Sequence, residues 1–410
     1  MKTRHLALLI SLATAGLAAC SPEPQFADGQ MPPPGQFGQG PGPGNGQGPQ
    51  DGRMPPPNGM HEGFGPMHHN QRIVVKAVVV NMFEIGEDEG DKPGEFQMWK
   101  EGQKLTKRFP FPQSYHDLYF NEETGVLGMV TGMGTARSAS AIMALGMDQR
   151  FDLSKAYWLI AGIAGVDPQD ASIGSAVWST YLVDGDLAHQ IDAREIPDDW
   201  KSGYFPLFSH RPYGDETLSQ TKHKTQGEVW KVNADLADWA YNLTKDMPLT
   251  DYPAMDELRS KYKGYPNAQK APFVLQGDHM AAATFWHGEK LNEWANDWTR
   301  FWTDGKGNFV TSGMEDTGSY QSLLYLDKAG LADVNRLMVL RTASNYTMQP
   351  PGLTAAQNLE MESGGSGYAG MQSALESAYT VGSKVIETLL ANWDTYQNTL
   401  PYEANSQKAN

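Results

Sequence analysis

The run I-V-V-K-A-V-V-V-N-M-F, starting at Ile73, constrains the fold more than any other feature of this sequence. β-Branched residues are stiff at χ1 and fit a pleated strand better than a helix. Successive strand side chains point to opposite faces, so a half-exposed strand alternates apolar with polar residues. This run is apolar at nearly every position and therefore has to be covered on both faces, as in parallel sheets layered between helices. Further runs of this kind are Val126–Val130, Tyr157–Ile160, Ala176–Val183, Phe273–Leu275 and Leu337–Arg341. Between them lie segments with helical periodicity, Thr135–Met147, Val229–Lys245, Leu291–Trp302, Ser319–Ala329 and Ala369–Leu390. Strands alternating with helices, and glycines at strand ends, predict one α/β domain over residues 72–404, with ligands at the carboxyl edge of its sheet.

The rest of the 410-residue chain is of a different kind. Lys2 and Arg4 precede an apolar stretch from Leu6 to Ala18, which ends in Leu17-Ala18-Ala19 before Cys20, the single cysteine. This pattern resembles a bacterial lipoprotein signal over residues 1–20, with Cys20 acylated as the mature N-terminus. Ser21 after the cysteine resembles the pattern for delivery to the outer membrane, so the expected location is an outer-membrane lipoprotein or the periplasmic or extracellular face of a Gram-negative cell. Residues 21–71 are dominated by Gly and Pro, with too few apolar side chains to offset the entropy of ordering, and read as a disordered tether. His61, His68 and His69 in it are read as incidental rather than as metal ligands.

Composition excludes several classes. A net charge of −16 argues against a nucleic-acid partner, which would need basic patches to displace counterions. One cysteine excludes a disulfide framework and Cys-based zinc modules. Apart from the N-terminal stretch, no apolar run approaches the roughly 20 residues that span a bilayer, so membrane contact is expected through the lipid anchor only. T-G-M-G-T-A-R-S at Thr131 begins like a dinucleotide loop but has Arg137 at the third glycine position. There is no Walker lysine, G-x-S-x-G or H-E-x-x-H, and His279 and His287 stand eight apart, so neither a metal nor a cofactor is expected.

Longer motifs carry more. M-F-E at Met82, A-G-I-A-G-V-D-P at Ala161, I-D-A-R-E-I-P at Ile191, S-G-M-E-D-T-G at Ser312 and R-T-A-S-N-Y-T-M-Q-P-P-G-L-T-A at Arg341 resemble the purine nucleoside permease family. Beneath this lies a more distant similarity to nucleoside phosphorylases and to the nucleosidases that cleave methylthioadenosine. It runs through Gly132/Gly134, Gly162-Ile163-Ala164-Gly165, Gly277-Asp278, Met314-Glu315 and Ser344-Asn345. The resemblance implies a nucleoside phosphorylase-like fold, a twisted mixed sheet flanked by helices, with one purine nucleoside pocket.

On that resemblance Glu315 accepts hydrogen bonds from the ribose diol, with Met314 beneath the sugar, though Glu315 also suits a cap for the helix near Gly318. Asn345 is placed at the base, where an amide oxygen stabilises a purine protonated at N7; an asparagine after a strand also suits a plain turn. Asn cannot donate a proton as an acid would, which favours 6-oxopurines such as inosine or guanosine. Phe285 and Trp286, with Tyr346, are candidates for sandwiching the base. Gly162, Gly165, Asp192, Arg194 and Asp278 are candidate wall residues, with an internal salt bridge between Asp192 and Arg194 an equal alternative for that pair. A carboxylate that activates water is expected after the first strand, and Glu84 and Glu95 both qualify. Ile160 and Ile163 occupy positions where hexameric phosphorylases place Arg and Ser for phosphate. Arg137 and Ser138, beside Gly132 and Gly134, are the alternative phosphate or nucleophile pocket, so water and phosphate as co-substrate both stay open. Two functions follow: a purine-nucleoside-cleaving enzyme of extracytoplasmic salvage, or a non-catalytic nucleoside-binding protein supporting uptake. Homo-oligomerisation is left open.

Overall fold

The computed structural model of the protein describes residues 72–207, 209–212, 228–362 and 365–409, and the side chains of all of these except 365–369 and 406–409. Twelve strands form one mixed sheet: β1 (Ala77–Asn81), β2 (Lys107–Phe109), β3 (Leu118–Asn121), β4 (Val126–Val130), β5 (Tyr157–Val166), β6 (Ala176–Trp178), β7 (Tyr181–Asp184), β8 (Val229–Lys231), β9 (Val274–Gln276), β10 (Asp278–Ala281), β11 (Phe309–Gly313) and β12 (Leu337–Tyr346). The main path runs β8-β7-β10-β11-β5-β1-β4-β3-β2, while β12 pairs with β5 and β6, and β9 with β6. The central pairs β1/β4, β1/β5 and β5/β12 are parallel, and the β2–β3–β4 edge is antiparallel.

The run from Ile73 is split: Ile73–Val74 pair with Phe151–Asp152 outside the main sheet, and β1 alone behaves as the composition requires. Val78 and Val80 point into one core, with Trp158, Ile160 and Ile142, whereas Ala77 and Val79 point into another, with Tyr157, Leu159 and Val385. α1 (Gln97–Gly102) adds Trp99 to the second core, and α2 (Thr135–Gly146) supplies Ile142 and Leu145 to the first. Further along come α3 (Ala234–Thr244), α4 (Pro253–Ser260), α5 (Glu289–Trp302), α6 (Asp316–Lys328), α7 (Ala355–Glu362) and α8 (Gly365–Ala391). α2 and α6 cover one face of the sheet; α8, through Val381, Val385 and Leu389, covers the other with α3.

Three further sequence expectations differ in detail. Val229–Lys231 is an edge strand, and the helix starts at Ala234, where Asn233 Oδ1 accepts the Leu236 N–H at 3.2 Å, a cap worth about 1 kcal/mol. The run from Ala176 is two strands, β6 and β7, interrupted at Ser179-Thr180. A-G-I-A-G does not follow a strand but continues β5, which extends to Val166.

That continuation opens the sheet. β1 pairs with β5 only through Val80↔Ile160, and β11 joins the same side of β5 only at Gly165 and Val166. Between these points residues 161–164 have no strand neighbour on that side, although β12 accompanies β5 along its whole length on the other. The backbone groups left over need other partners. Asn81 Nδ2 donates to the Ala161 carbonyl at 2.6 Å, and two charged side chains reach Ile163.

Candidate functional site

The two side chains are Glu95, just before α1, and Arg341, on β12. Glu95 Oε1 accepts the Ile163 N–H at 2.8 Å, and its Oε2 accepts the Met82 N–H at 2.7 Å. Arg341 Nη1 donates to the Ile163 carbonyl at 3.0 Å. Its Nε and Nη2 donate to Asp316 Oδ1 (3.1 Å) and Oδ2 (2.5 Å), and Nη2 also to Glu315 Oε2 (2.9 Å). Glu95, Glu315, Asp316 and Arg341 are all buried. Gly162 makes this convergence feasible: a Cβ there would stand 2.8 Å from both Arg341 Nη1 and Glu95 Oε1.

One guanidinium therefore faces three carboxyl groups. Burial pushes Glu95 up to about 8; Arg341 opposes the shift and Glu315 adds to it. Burial also works against Asp316, but Arg341 and His279 outweigh it and hold Asp316 far below the usual carboxylate range. Arg341 stays cationic because Asp316 and Glu315 overcome its own desolvation. His279, fully buried on β10, places Nδ1 2.9 Å from Thr311 Oγ1 and Nε2 2.9 Å from Asp316 Oδ2, the latter at ion-pair distance without the alignment of a directed hydrogen bond. At neutral pH Glu95 is thus protonated, which leaves Glu315 and Asp316 to balance Arg341.

Glu95, Glu315 and Arg341 line one end of a cavity of about 190 Å³. Met82, Met314 and Ile163 adjoin them, and Glu315 is fixed from both sides: Oε1 accepts the Gly134 N–H at 2.9 Å while Oε2 takes Arg341. The other end holds Phe285, Trp286, Ser344 and Asn345. Asn345 Nδ2 donates to the Tyr346 carbonyl at 3.1 Å, and its Oδ1 accepts the Ser344 hydroxyl at 3.0 Å. Trp286 packs against Trp294 and Phe309, whereas Phe285 is 57 % exposed at the rim. Gly165 lies beneath Asn345, where a Cβ would come 3.3 Å from Nδ2.

Of the residues expected from sequence, the structure brings Glu95, Met314, Glu315, Phe285, Trp286, Asn345 and Gly165 to the cavity wall, with Gly162 and Gly134 directly behind it. The others lie elsewhere, each for a visible reason. Glu84 is occupied by the backbone: its carboxylate accepts N–H groups of Ile85, Gly94, Phe96 and Gln97, so it closes the acidic loop and caps α1. Tyr346 turns into the core, stacked 3.9 Å from Tyr262, with its hydroxyl donating to the Ala268 carbonyl at 2.7 Å. Ser138 is buried between α2 and α6, bonded to Ser319. Arg137 lies on the surface and donates to the Met133 carbonyl at 3.1 Å; Gly132 supplies a positive-φ turn against it. Asp192 and Arg194 form an exposed ion pair with each other. Asp278 accepts the Tyr181 and Asn308 N–H groups, both at 2.7 Å, and so ties two loops together. Cys20 lies outside the described residues.

Arg341, Asp316 and Ser344 fall within the sequence motifs, but sequence assigns none of them a role in the site. A signal existed for Arg341: it is the one charge in the apolar run L-M-V-L-R-T-A, and a buried arginine needs carboxylates.

Residues 74–401 match the family described as purine nucleoside permease (NUP). The chain belongs to the purine nucleoside permease family. A purine nucleoside permease of Candida albicans is 28 % identical over 326 residues, covering 78 % of this chain and 76 % of that protein. A probable purine nucleoside permease of Schizosaccharomyces pombe is 28 % identical over 283 residues, covering 68 % and 80 %. Among solved structures, futalosine hydrolase of Helicobacter pylori is 12 % identical, with a TM-score of 0.44, covering 77 % of this chain and 98 % of its own. The 5'-methylthioadenosine/S-adenosylhomocysteine nucleosidase of the same organism is 14 % identical, with a TM-score of 0.45, covering 77 % and 100 %. The five sequence motifs that resembled the purine nucleoside permease family all fall inside the matched residues. No helix among the described residues is long and apolar enough to cross a membrane.

Proposed function

We propose that this member of the family binds a purine nucleoside in the cavity and hydrolyses its N-glycosidic bond with water. The observation that carries the reading is the polar end of the cavity, where Glu95, Glu315 and Arg341 converge beside Ile163. Glu315 Oε1 has a second lone pair beyond its bond from the Gly134 N–H and can accept a ribose hydroxyl directly. Oε2 already accepts from Arg341 and, at 3.3 Å, from the Met314 N–H, which the second hydroxyl of the diol would displace. Arg341 has five N–H donors, and its bonds to Asp316, Glu315 and Ile163 leave one on Nη1. That donor and Glu95 flank the same space, which suits a water held for attack on the sugar. Glu95 takes the water's proton once ionised, and the positive charge that develops on the sugar favours its ionisation.

Phosphate fits poorly. Among the described cavity-lining residues Arg341 is the basic one, and its charge is already committed to two buried carboxylates. A phosphate dianion would enter beside Glu315 and Asp316 with no further cation to offset it. Arg137 and Ser138 do not reach the space. The apolar end, with Trp286 and Phe285, takes the base, and the Asn345 amide oxygen accepts from N7 as it gains proton character.

The test is to incubate the purified protein with inosine, with and without phosphate, and to separate the products. Free ribose at a phosphate-independent rate is expected. Ribose 1-phosphate would replace hydrolysis by phosphorolysis, and tight binding with no base released would favour the non-catalytic uptake role that the relatives' names suggest. Asn345→Asp should partly transfer activity to 6-aminopurine nucleosides, because a carboxylic acid can donate to N7 and its carboxylate can accept from the exocyclic amine. Unchanged relative rates for inosine and adenosine would remove Asn345 from base recognition.

A further inference from the structure

Behind Asn345 lies a second buried polar cluster that the reaction does not use. α7 carries it. The helix is solvent-facing along most of its length, and the side chain it buries completely is not apolar but Asn358. Asn358 Nδ2 meets His287 Nε2 at 3.1 Å and donates to Glu362 Oε1 at 2.9 Å, one turn along the same helix. His287 follows Trp286 of the cavity wall directly, and the next residue, Gly288, donates to the Thr347 carbonyl at 2.9 Å. The main chain of Tyr346 lies close to both His287 and Glu362, although neither His287 Nδ1 nor Glu362 Oε2 makes a directed hydrogen bond. The Tyr346 carbonyl is also the group to which Asn345 Nδ2 donates at 3.1 Å.

The path from α7 to the base end of the cavity therefore runs through the main chain of Tyr346, its N–H on the Glu362 side and its carbonyl on the His287 side. An amide nitrogen can only donate, so His287 Nε2 accepts from Asn358 and the ring proton sits on Nδ1. Burial lowers the His287 pKa, in keeping with a neutral ring. The Tyr346 main chain thus lies between one neutral ring and one carboxyl, both held by Asn358.

We propose that Asn358, with His287 and Glu362, positions the Asn345 amide and so helps determine which purine the cavity prefers. The proposal rests on Asn345 recognising the base. It makes α7 part of the specificity apparatus although none of its side chains lines the cavity. Burial pushes the Glu362 carboxyl up to about 7, opposed by the Asn358 hydrogen bond and the Tyr346 main chain. The titratable groups facing it are His287, Tyr262 and Tyr346, and the latter two are raised by burial, so Glu362 is the group of this cluster that changes charge near neutrality. The purine preference should accordingly vary around that pH.

The experiment measures the affinity of the full-length protein for inosine and adenosine by calorimetry from about pH 6 to about pH 8. Asn358→Ala is expected to reduce the inosine-to-adenosine affinity ratio roughly ten-fold, the scale of one positioned hydrogen bond. On an Asn345→Ala background it should change the ratio no further, because both substitutions act through one amide. Glu362→Gln keeps the acceptor for Asn358, so it should retain the preference and flatten its pH dependence. An Asn358→Ala protein that weakens both ligands equally, while Asn345→Ala alters the ratio, would overturn the proposal and leave the base assignment standing. A ratio unmoved by Asn345→Ala would instead remove the base assignment, and this proposal with it. Should Asn358→Ala not fold, the pH profile of Glu362→Gln decides: an unaltered slope overturns the proposal.

Discussion

Glu95 and Arg341 are tied by charge balance, and each makes a separate prediction. The folded state raises the Glu95 pKa from 4.5 to about 8, so folding favours its protonated form. The stability this contributes is complete below about pH 4.5 and is lost as pH rises through about 8. Thermal melting of the wild type should therefore fall across that window, and Glu95→Gln, which cannot ionise, should remove that part of the slope. The same ionisation should control chemistry. kcat/KM should climb to a plateau above about pH 8, and Glu95→Gln should lower kcat by roughly 10²–10⁴-fold, the usual range for a lost general base. A slope that survives in the variant would place the titration elsewhere. Arg341→Leu strands Glu315 and Asp316 without their cation, and breaking a buried pair from one side costs about 3–5 kcal/mol. Chemical denaturation should show that loss at neutral pH and a partial recovery on acidification, since protonated carboxyls no longer need the guanidinium.

At the scale of elements, the site exists because β5 outruns β1. Gly162 stands in the gap, and its hydrogen is what lets Met82, Glu95 and Arg341 close over the strand. Gly162→Ala would bring a methyl 2.1 Å from Met82 Cε and 2.8 Å from both charged groups. An overpacked core costs about 1–3 kcal/mol. Nucleoside binding should be lost by more than that stability change alone explains, as calorimetry at a temperature where the variant is fully folded would show. Retained affinity would mean that the carboxyl and guanidinium need not approach each other. The continuous apolar runs made β1, β4 and the first half of β5 legible in the sequence, because burial on both faces leaves a composition that no exposed segment can imitate. The β2/β3 hairpin, β10 and β11 were not legible: they are short, and β11 carries V-T-S-G, which reads as a turn until a neighbouring strand supplies its hydrogen bonds. Glu84 and Glu95 could not be separated from sequence for a related reason. Which of two nearby carboxylates caps a loop and which enters a cavity depends on the path of the loop between them, and local spacing does not fix that path.

The described residues form one α/β domain, matched by its family over residues 74–401, and a segment of unlike composition precedes it in the sequence. A net charge of −16 adds to the acidic site in disfavouring anionic ligands, which agrees with a neutral nucleoside as the proposed ligand and water as the attacking group. The proposed anchor belongs at this scale. Each buried methylene of an acyl chain contributes about 0.8 kcal/mol to membrane binding, so acylation at Cys20 can hold a domain that has no membrane-crossing helix among its described residues. Among the described residues, the domain's cores are built from Val75 onward. Cys20→Ser expressed in a Gram-negative host should therefore move the protein from the membrane fraction to the soluble fraction. Its melting temperature and inosine affinity should not change, because the substitution removes an attachment point rather than a contact of the fold. Fractionation followed by immunodetection reads the first outcome and calorimetry the second. Membrane association that persists in the variant would show that another part of the chain holds it there. A fall in melting temperature would show that the first seventy residues pack on the domain rather than tether it.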